Sequence, residues 1–127
     1  MTAHSPARLL ILDDQPVITD TLCIIAKNHG YECRGAYTHS SAVSIAREFQ
    51  PNIFLTGFNN LCDKNGGETA LEVLAFLPKC RVIIFTGQAK TAAAVNDYCQ
   101  RYGFIALPKP LHPQTLLDIL RSQDAGE

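Results

Sequence analysis

Apolar positions along this chain follow two alternating rhythms. Short unbroken apolar runs, Leu9-Leu10-Ile11-Leu12, Ile53-Phe54-Leu55 and Val82-Ile83-Ile84-Phe85, are what strands covered on both faces look like. Between them, apolar residues recur every three or four positions. Val17, Ile18, Leu22 and Ile25 follow Pro16, which suits a first helical turn, and the pattern stops at His29-Gly30. Ala42, Ile45, Ala46 and Phe49 make one face of a second helix, which Ser40 or Ser41 can cap and Pro51 stops. Leu71, Leu74, Ala75 and Leu77 give the inward side of a third helix, closed by Pro78. An alanine-rich fourth runs from about Ala89 to Tyr102 with Gly103 as its stop, and a fifth from Pro113 to Arg121 turns Leu116, Leu117 and Leu120 inward. Residues 31–37 and 104–107 supply two further, less apolar strands.

Five strands alternating with five helices call for an α/β fold, a doubly wound parallel sheet with helices on both faces, because each right-handed crossover returns the chain in the same direction. At 127 residues one such domain accounts for everything, and it buries about two-thirds of the surface the unfolded chain exposes. We place the domain at residues 8–121, between short polar tails at 1–7 and 122–127, the second expected to fray.

Composition narrows the field. With 46% apolar and 18% charged residues the chain supports a packed core and is too apolar for disorder. A net charge of -1 provides no long-range attraction for nucleic acid. The 5 cysteines, Cys23, Cys33, Cys62, Cys80 and Cys99, are odd in number and form no Cys-x-x-Cys pair, which argues against a disulfide framework or zinc site. Cys62, in a polar loop, is the one expected to be exposed. His4, His29, His39 and His112 have no metal-binding spacing and read as surface or helix-end residues. No signal peptide or membrane span is visible, so a reducing cytoplasm is the expected location.

The chemistry-bearing residues gather at strand ends: Asp13-Asp14 after the first strand, Gly57 after the third, Thr86 after the fourth and Lys109-Pro110 after the fifth. In open parallel sheets, sites form beyond the carboxyl ends of the strands. Two adjacent carboxylates there repel by about 4 kcal/mol at about 4 Å and an effective dielectric near 20, so a cation is needed, and Lys109 is available. Together these residues resemble the response-regulator receiver domain, over roughly residues 8–121.

The resemblance implies the flavodoxin-like strand order 2-1-3-4-5, with the pocket between strands one and three. In that family the acidic pair holds Mg²⁺, the hydroxyl matching Thr86 bonds a phosphoryl group, and the lysine matching Lys109 pairs with it. The Lys-Pro bond is often cis, which makes Pro110 a candidate. A phosphate-accepting aspartate occupies the place where this chain has Gly57, and a glycine has neither nucleophile nor metal ligand there. The family's switch aromatic falls at Ala106, and the loop after Gly57 lacks the usual Met-Pro.

The sequence therefore reads as a stand-alone pseudo-receiver, a two-component signalling module that acts by protein contact and is not an enzyme. It requires no cofactor; Asp13 and Asp14 are expected to bind Mg²⁺ weakly at most, and Lys109 is free to bridge the two acids. The partner is a kinase, regulator, effector or second copy, with no direct nucleic acid or membrane contact. The contact surface implied by the family is that of the fourth helix, fifth strand and fifth helix, with Tyr98, Tyr102, Leu111 and His112 as candidates. Two alternatives stand beside this reading. One is an Mg²⁺-dependent phosphoacceptor using a displaced acid such as Asp63. The other is a nucleotide- or flavin-binding doubly wound domain, against which the absence of a glycine-rich phosphate loop speaks.

Overall fold

The unbroken apolar runs pair into one sheet whose interior strands have a helix layer on each side. The computed structural model describes residues 7–58, 64–87 and 92–126, the side chains of residues 124–126 excepted. Its elements are β1 (Arg8–Leu12), α1 (Pro16–Asn28), β2 (Glu32–Ala36), α2 (His39–Phe49), β3 (Ile53–Gly57), α3 (Gly66–Phe76), β4 (Arg81–Thr86), α4 (Ala92–Tyr102), β5 (Ile105–Pro108) and α5 (Pro113–Gly126). All pairings are parallel, in the order β2-β1-β3-β4-β5. This is the flavodoxin-like order.

Alternate residues of the central strands feed two separate cores. Leu10, Leu12, Phe54, Val82 and Ile84 pack against α2, α3 and α4 through Ala42, Ala46, Ala70, Val73 and Val95. Leu9, Ile11, Leu55, Ile83 and Phe85 face the other way, onto Leu22, Ala26, Leu116 and Leu120 of α1 and α5. The register matches Leu12 with Thr56, Gly57 with Phe85 and Thr86 with Pro108, so Asp13, Gly57, Thr86 and Lys109 come to one end of the sheet.

Helix faces depart from the periodic reading in an instructive way. On α1, Val17 is 78% exposed, while Thr19, Leu22, Cys23 and Ala26 are buried. On α3, Ala75 is exposed and Leu71, Leu74 and Leu77 are only partly buried, while Gly66, Gly67, Thr69, Ala70 and Val73 face inward. Small residues let these helices lie close to the sheet, and the larger side chains reach over the flanks. Capping of α2 falls to Thr38, whose hydroxyl accepts the Ser41 N–H at 3.2 Å, and not to Ser40 or Ser41. Asn65 and Glu68 close α3 with a reciprocal capping box. Helix α5 continues to Gly126 and does not stop near Arg121, since residues 122–125 contain no glycine or proline to break it.

Candidate functional site

Asp13 is the centre of the site. It is 1% exposed, and both carboxylate oxygens are engaged. Oδ1 accepts the Gln15 N–H at 2.9 Å, and Oδ2 accepts the Lys109 ammonium at 2.6 Å. Its backbone is fixed as well: its N–H donates to the Ala36 carbonyl at 3.1 Å, and its carbonyl accepts the Thr19 hydroxyl at 3.1 Å. The short Asp13–Lys109 bond spans 96 residues and ties the end of β1 to the end of β5.

Lys109 is aimed by its own backbone. Its N–H donates to the Thr86 carbonyl at 3.2 Å, and the Lys109–Pro110 peptide is cis. The side chain, 25% exposed, crosses the Phe85 ring with its ammonium 4.9 Å from the centroid. Asp14 is half-buried and lies beside the pair without the same protection. Burial raises its carboxyl above the ordinary value, the negative Asp13 raises it further, and the charge of Lys109 offsets part of this. Lys109 bonds Asp13 and acts on Asp14 through its charge.

Gly57 closes β3 directly opposite. A Cβ built there would sit 2.7 Å from Asp13 Oδ2 and 3.4 Å from the Leu12 carbonyl oxygen. The carboxylate of Asp13 therefore fills space that any side chain at residue 57 would need. On the far side, the Gly57 carbonyl packs against Gly66, where a Cβ would collide with it, and the Gly66 N–H donates to the Phe58 carbonyl at 2.9 Å. The Thr56 hydroxyl, wholly buried, donates to the Gly57 carbonyl at 2.8 Å.

Thr86 is half-buried at the end of β4. Ala106, exposed on β5, lines with Thr86, Val95, Cys99 and Phe104 a hollow of about 550 Å³ between α4 and β5. Tyr98 is half-buried in an aromatic column, its ring 6.0 Å from that of Phe58 and 6.0 Å from that of Tyr102, which in turn stacks on Phe104 at 5.5 Å. Gly67 makes room for Tyr98, since a Cβ there would fall 2.5 Å from the ring. Tyr102 is 45% exposed. Leu111 is half-buried beside Val17 and Pro110. His112 is exposed and caps α5: its Nδ1 accepts the Gln114 N–H at 3.0 Å and its carbonyl the Leu116 N–H at 3.2 Å. Asp63 and Cys62 lie outside the described residues.

The donor set fits a tightly held Mg²⁺ poorly. Among the described residues no three His, Cys, Asp or Glu side chains gather closely enough to hold a metal ion. Octahedral Mg²⁺ wants several oxygen ligands, and at Asp13 Oδ2 a cation would compete with the Lys109 ammonium.

The sequence reading missed one residue near this end of the molecule. His39 starts α2, as a helix-end residue should, but it is 8% exposed and not on the surface. Its Nδ1 lies 2.8 Å from the Thr69 hydroxyl and its Nε2 3.0 Å from Glu72 Oε1, which joins α2 to α3. Both partners lie 30 or more residues away, and no local pattern announces them.

No protein-family profile and no curated protein matches the sequence. Solved structures do match. The response regulator receiver domain protein (CheY-like) of Methanospirillum hungatei superposes with a TM-score of 0.81 at 26% identity, covering 97% of this chain and 100% of that one. Vibrio cholerae chemotaxis protein CheY4 gives 0.80 at 22% identity over 92% of this chain and 98% of that one. A two component transcriptional regulator AraC from Clostridium phytofermentans gives 0.78 at 24% identity, over 92% of each chain. By these structural matches, the chain has the fold of response-regulator receiver domains of the CheY-like kind.

Proposed function

We propose that this chain is a receiver-type module of two-component signalling that works by protein contact and without phosphoryl transfer. One observation carries the reading: the buried Asp13 carboxylate, held by Lys109 at 2.6 Å, occupies the space beside Gly57 where a phosphate-accepting side chain would stand. Residue 57 supplies no nucleophile, and the cation that would stabilise a phosphoryl group is already neutralised. Ala106 adds to this, since its methyl group cannot swing into or out of the hollow beside Thr86 as an aromatic ring could. The pocket is read as fixed in one state.

A module of this kind has no catalytic task. Its output is a surface offered to a kinase, a regulator, an effector or a second copy in the cytoplasm, and its near-neutral charge gives no reason to expect nucleic acid. The α4, β5 and α5 face is the proposed contact surface, and of its four candidate residues Tyr102 and His112 are the exposed ones. The test is an amide NMR spectrum of the full chain in Mg²⁺, before and after adding a small-molecule phosphodonor. Amides of Asp13, Gly57, Thr86 and Lys109 are expected to stay in place. Joint movement of those four, or of Asp63 and its neighbours, would restore the phosphoacceptor alternative.

A further inference from the structure

Behind the Asp13 site, two cysteines that the proposed function does not use lie in contact. Cys23 on α1 and Cys33 on β2 are 7% and 4% exposed, and their sulfurs are 2.6 Å apart. The backbone arrangement explains the closeness. Gly35 on β2 has no side chain, and a Cβ there would collide with the Thr19 methyl group and come within 3.6 Å of Cys23 Sγ. The missing side chain lets α1 settle onto the strand. Cys23 is one turn beyond Thr19, and Cys33 lies two residues before Gly35 on the same strand face, so the close approach that Gly35 permits is carried to both sulfurs.

The two thiols are not equivalent. With Cys33 as the donor, the hydrogen bond between them favours a thiolate at Cys23, and the Lys27 ammonium one helical turn on adds to this, so the Cys23 thiol is held below its ordinary value despite burial and the nearby Asp20. Cys33 is pushed up by donating that bond and by burial. No third ligand gathers here among the described residues, which argues against a metal site.

We propose that Cys23 and Cys33 form a redox pair that a small peroxide converts to an intramolecular disulfide, tying α1 to the edge strand β2. The Cys23 thiolate attacks one oxygen of hydrogen peroxide and the O–O bond breaks, leaving a sulfenic acid on Cys23 and a hydroxide. That hydroxide takes the Cys33 proton and becomes water. The Cys33 thiolate then attacks the Cys23 sulfur, the S–O bond breaks and a second water forms after protonation. Two thiols are oxidised by two electrons and one peroxide is reduced to two waters. Two equivalents of an external thiol reverse the change, so in a reducing compartment the link is transient. Because Thr19 also holds the Asp13 carbonyl, the crosslink fixes the same stretch of helix that supports the site.

The test treats the full chain, folded and at neutral pH, with hydrogen peroxide, followed by intact mass and a non-reducing peptide map. The expected result is loss of two hydrogens, one peptide pair joining Cys23 to Cys33, and a Tm about 10 °C above that of the reduced protein. Cys33→Ser is expected to leave Cys23 as a sulfenic acid that a dimedone probe captures, and Cys23→Ser to leave Cys33 unlabelled. A folded wild-type protein that keeps both hydrogens overturns the proposal, as does a map that links either residue to Cys62, Cys80 or Cys99 instead.

Discussion

Replacing Gly57 by alanine probes the crowding at the site without adding charge. Elsewhere such a change stabilises a protein by about 0.4–1 kcal/mol, because the unfolded chain loses freedom, provided the native backbone accepts a side chain. Gly57 has an ordinary strand backbone, so nothing in its own conformation opposes the change. The obstacle is Asp13 Oδ2, which the new Cβ would meet at 2.7 Å. A flexible side chain in water would move aside at little cost, but Asp13 is 1% exposed and held on both oxygens. Displacing it strains or breaks a hydrogen bond between charged groups, a loss of about 1.5–3 kcal/mol. The loss outweighs the gain, leaving Gly57→Ala about 1–2 kcal/mol less stable than wild type. For a domain of this length about 1 kcal/mol corresponds to about 4 °C, so calorimetry should show Tm lower by about 4–8 °C. In an Asp13→Ala background the obstacle is absent, and the same glycine replacement should raise Tm by about 2–4 °C. An unchanged or higher Tm for Gly57→Ala in the wild-type background would refute the claim that Asp13 holds that space.

Further outcomes follow from the same geometry. Lys109→Met strands a buried carboxylate and should cost about 3–4 kcal/mol in urea unfolding, whereas Asp13→Asn leaves Lys109 with partial access to water and the Phe85 ring, for about 1–2 kcal/mol; equal losses would contradict the asymmetry. Gly66→Ala drives a methyl group into the Gly57 carbonyl, a backbone atom that cannot step aside, and should cost about 3 kcal/mol or more, read as loss of the cooperative transition at 37 °C or a fall of about 10 °C in Tm. Asp14 has a raised carboxyl, so it binds its proton more tightly in the folded state; its contribution is complete below the ordinary carboxylate range and is lost as pH rises through the folded value. Asp14→Asn should therefore raise Tm at neutral pH, with the gain vanishing in acid, and a gain that persists in acid would rule this out.

Much of the fold was legible because its three central strands are continuous apolar runs bounded by polar residues, a pattern expected of strands buried on both faces. The strand order needed more, because periodicity is compatible with several doubly wound arrangements and only the resemblance to receiver domains, carried by the strand-end residues, separates them. Helix faces were less legible. Thr19, Cys23, Gly66 and Ala70 are not conspicuous as core residues, yet they face the sheet because they are small enough to let the helices approach. Val17 is apolar and points to water. At the site, the nearness of Asp13, Gly57 and Lys109 could be anticipated from their places at strand ends. That Lys109 bonds Asp13 while acting on Asp14 through charge could not, since it depends on which carboxylate is buried and which oxygen the Gln15 N–H already holds. The Cys23 and Cys33 contact was hidden for a related reason: it follows from the bare backbone of Gly35.

The absence of phosphoryl transfer is the central proposal for this receiver-like fold. Its most direct test is the intact mass of the wild-type chain after incubation with a small-molecule phosphodonor and Mg²⁺. The predicted result is an unchanged mass. A gain of one phosphoryl group, traced by peptide mapping to Asp63 or to any other residue, would contradict the account and return the protein to the phosphoacceptors.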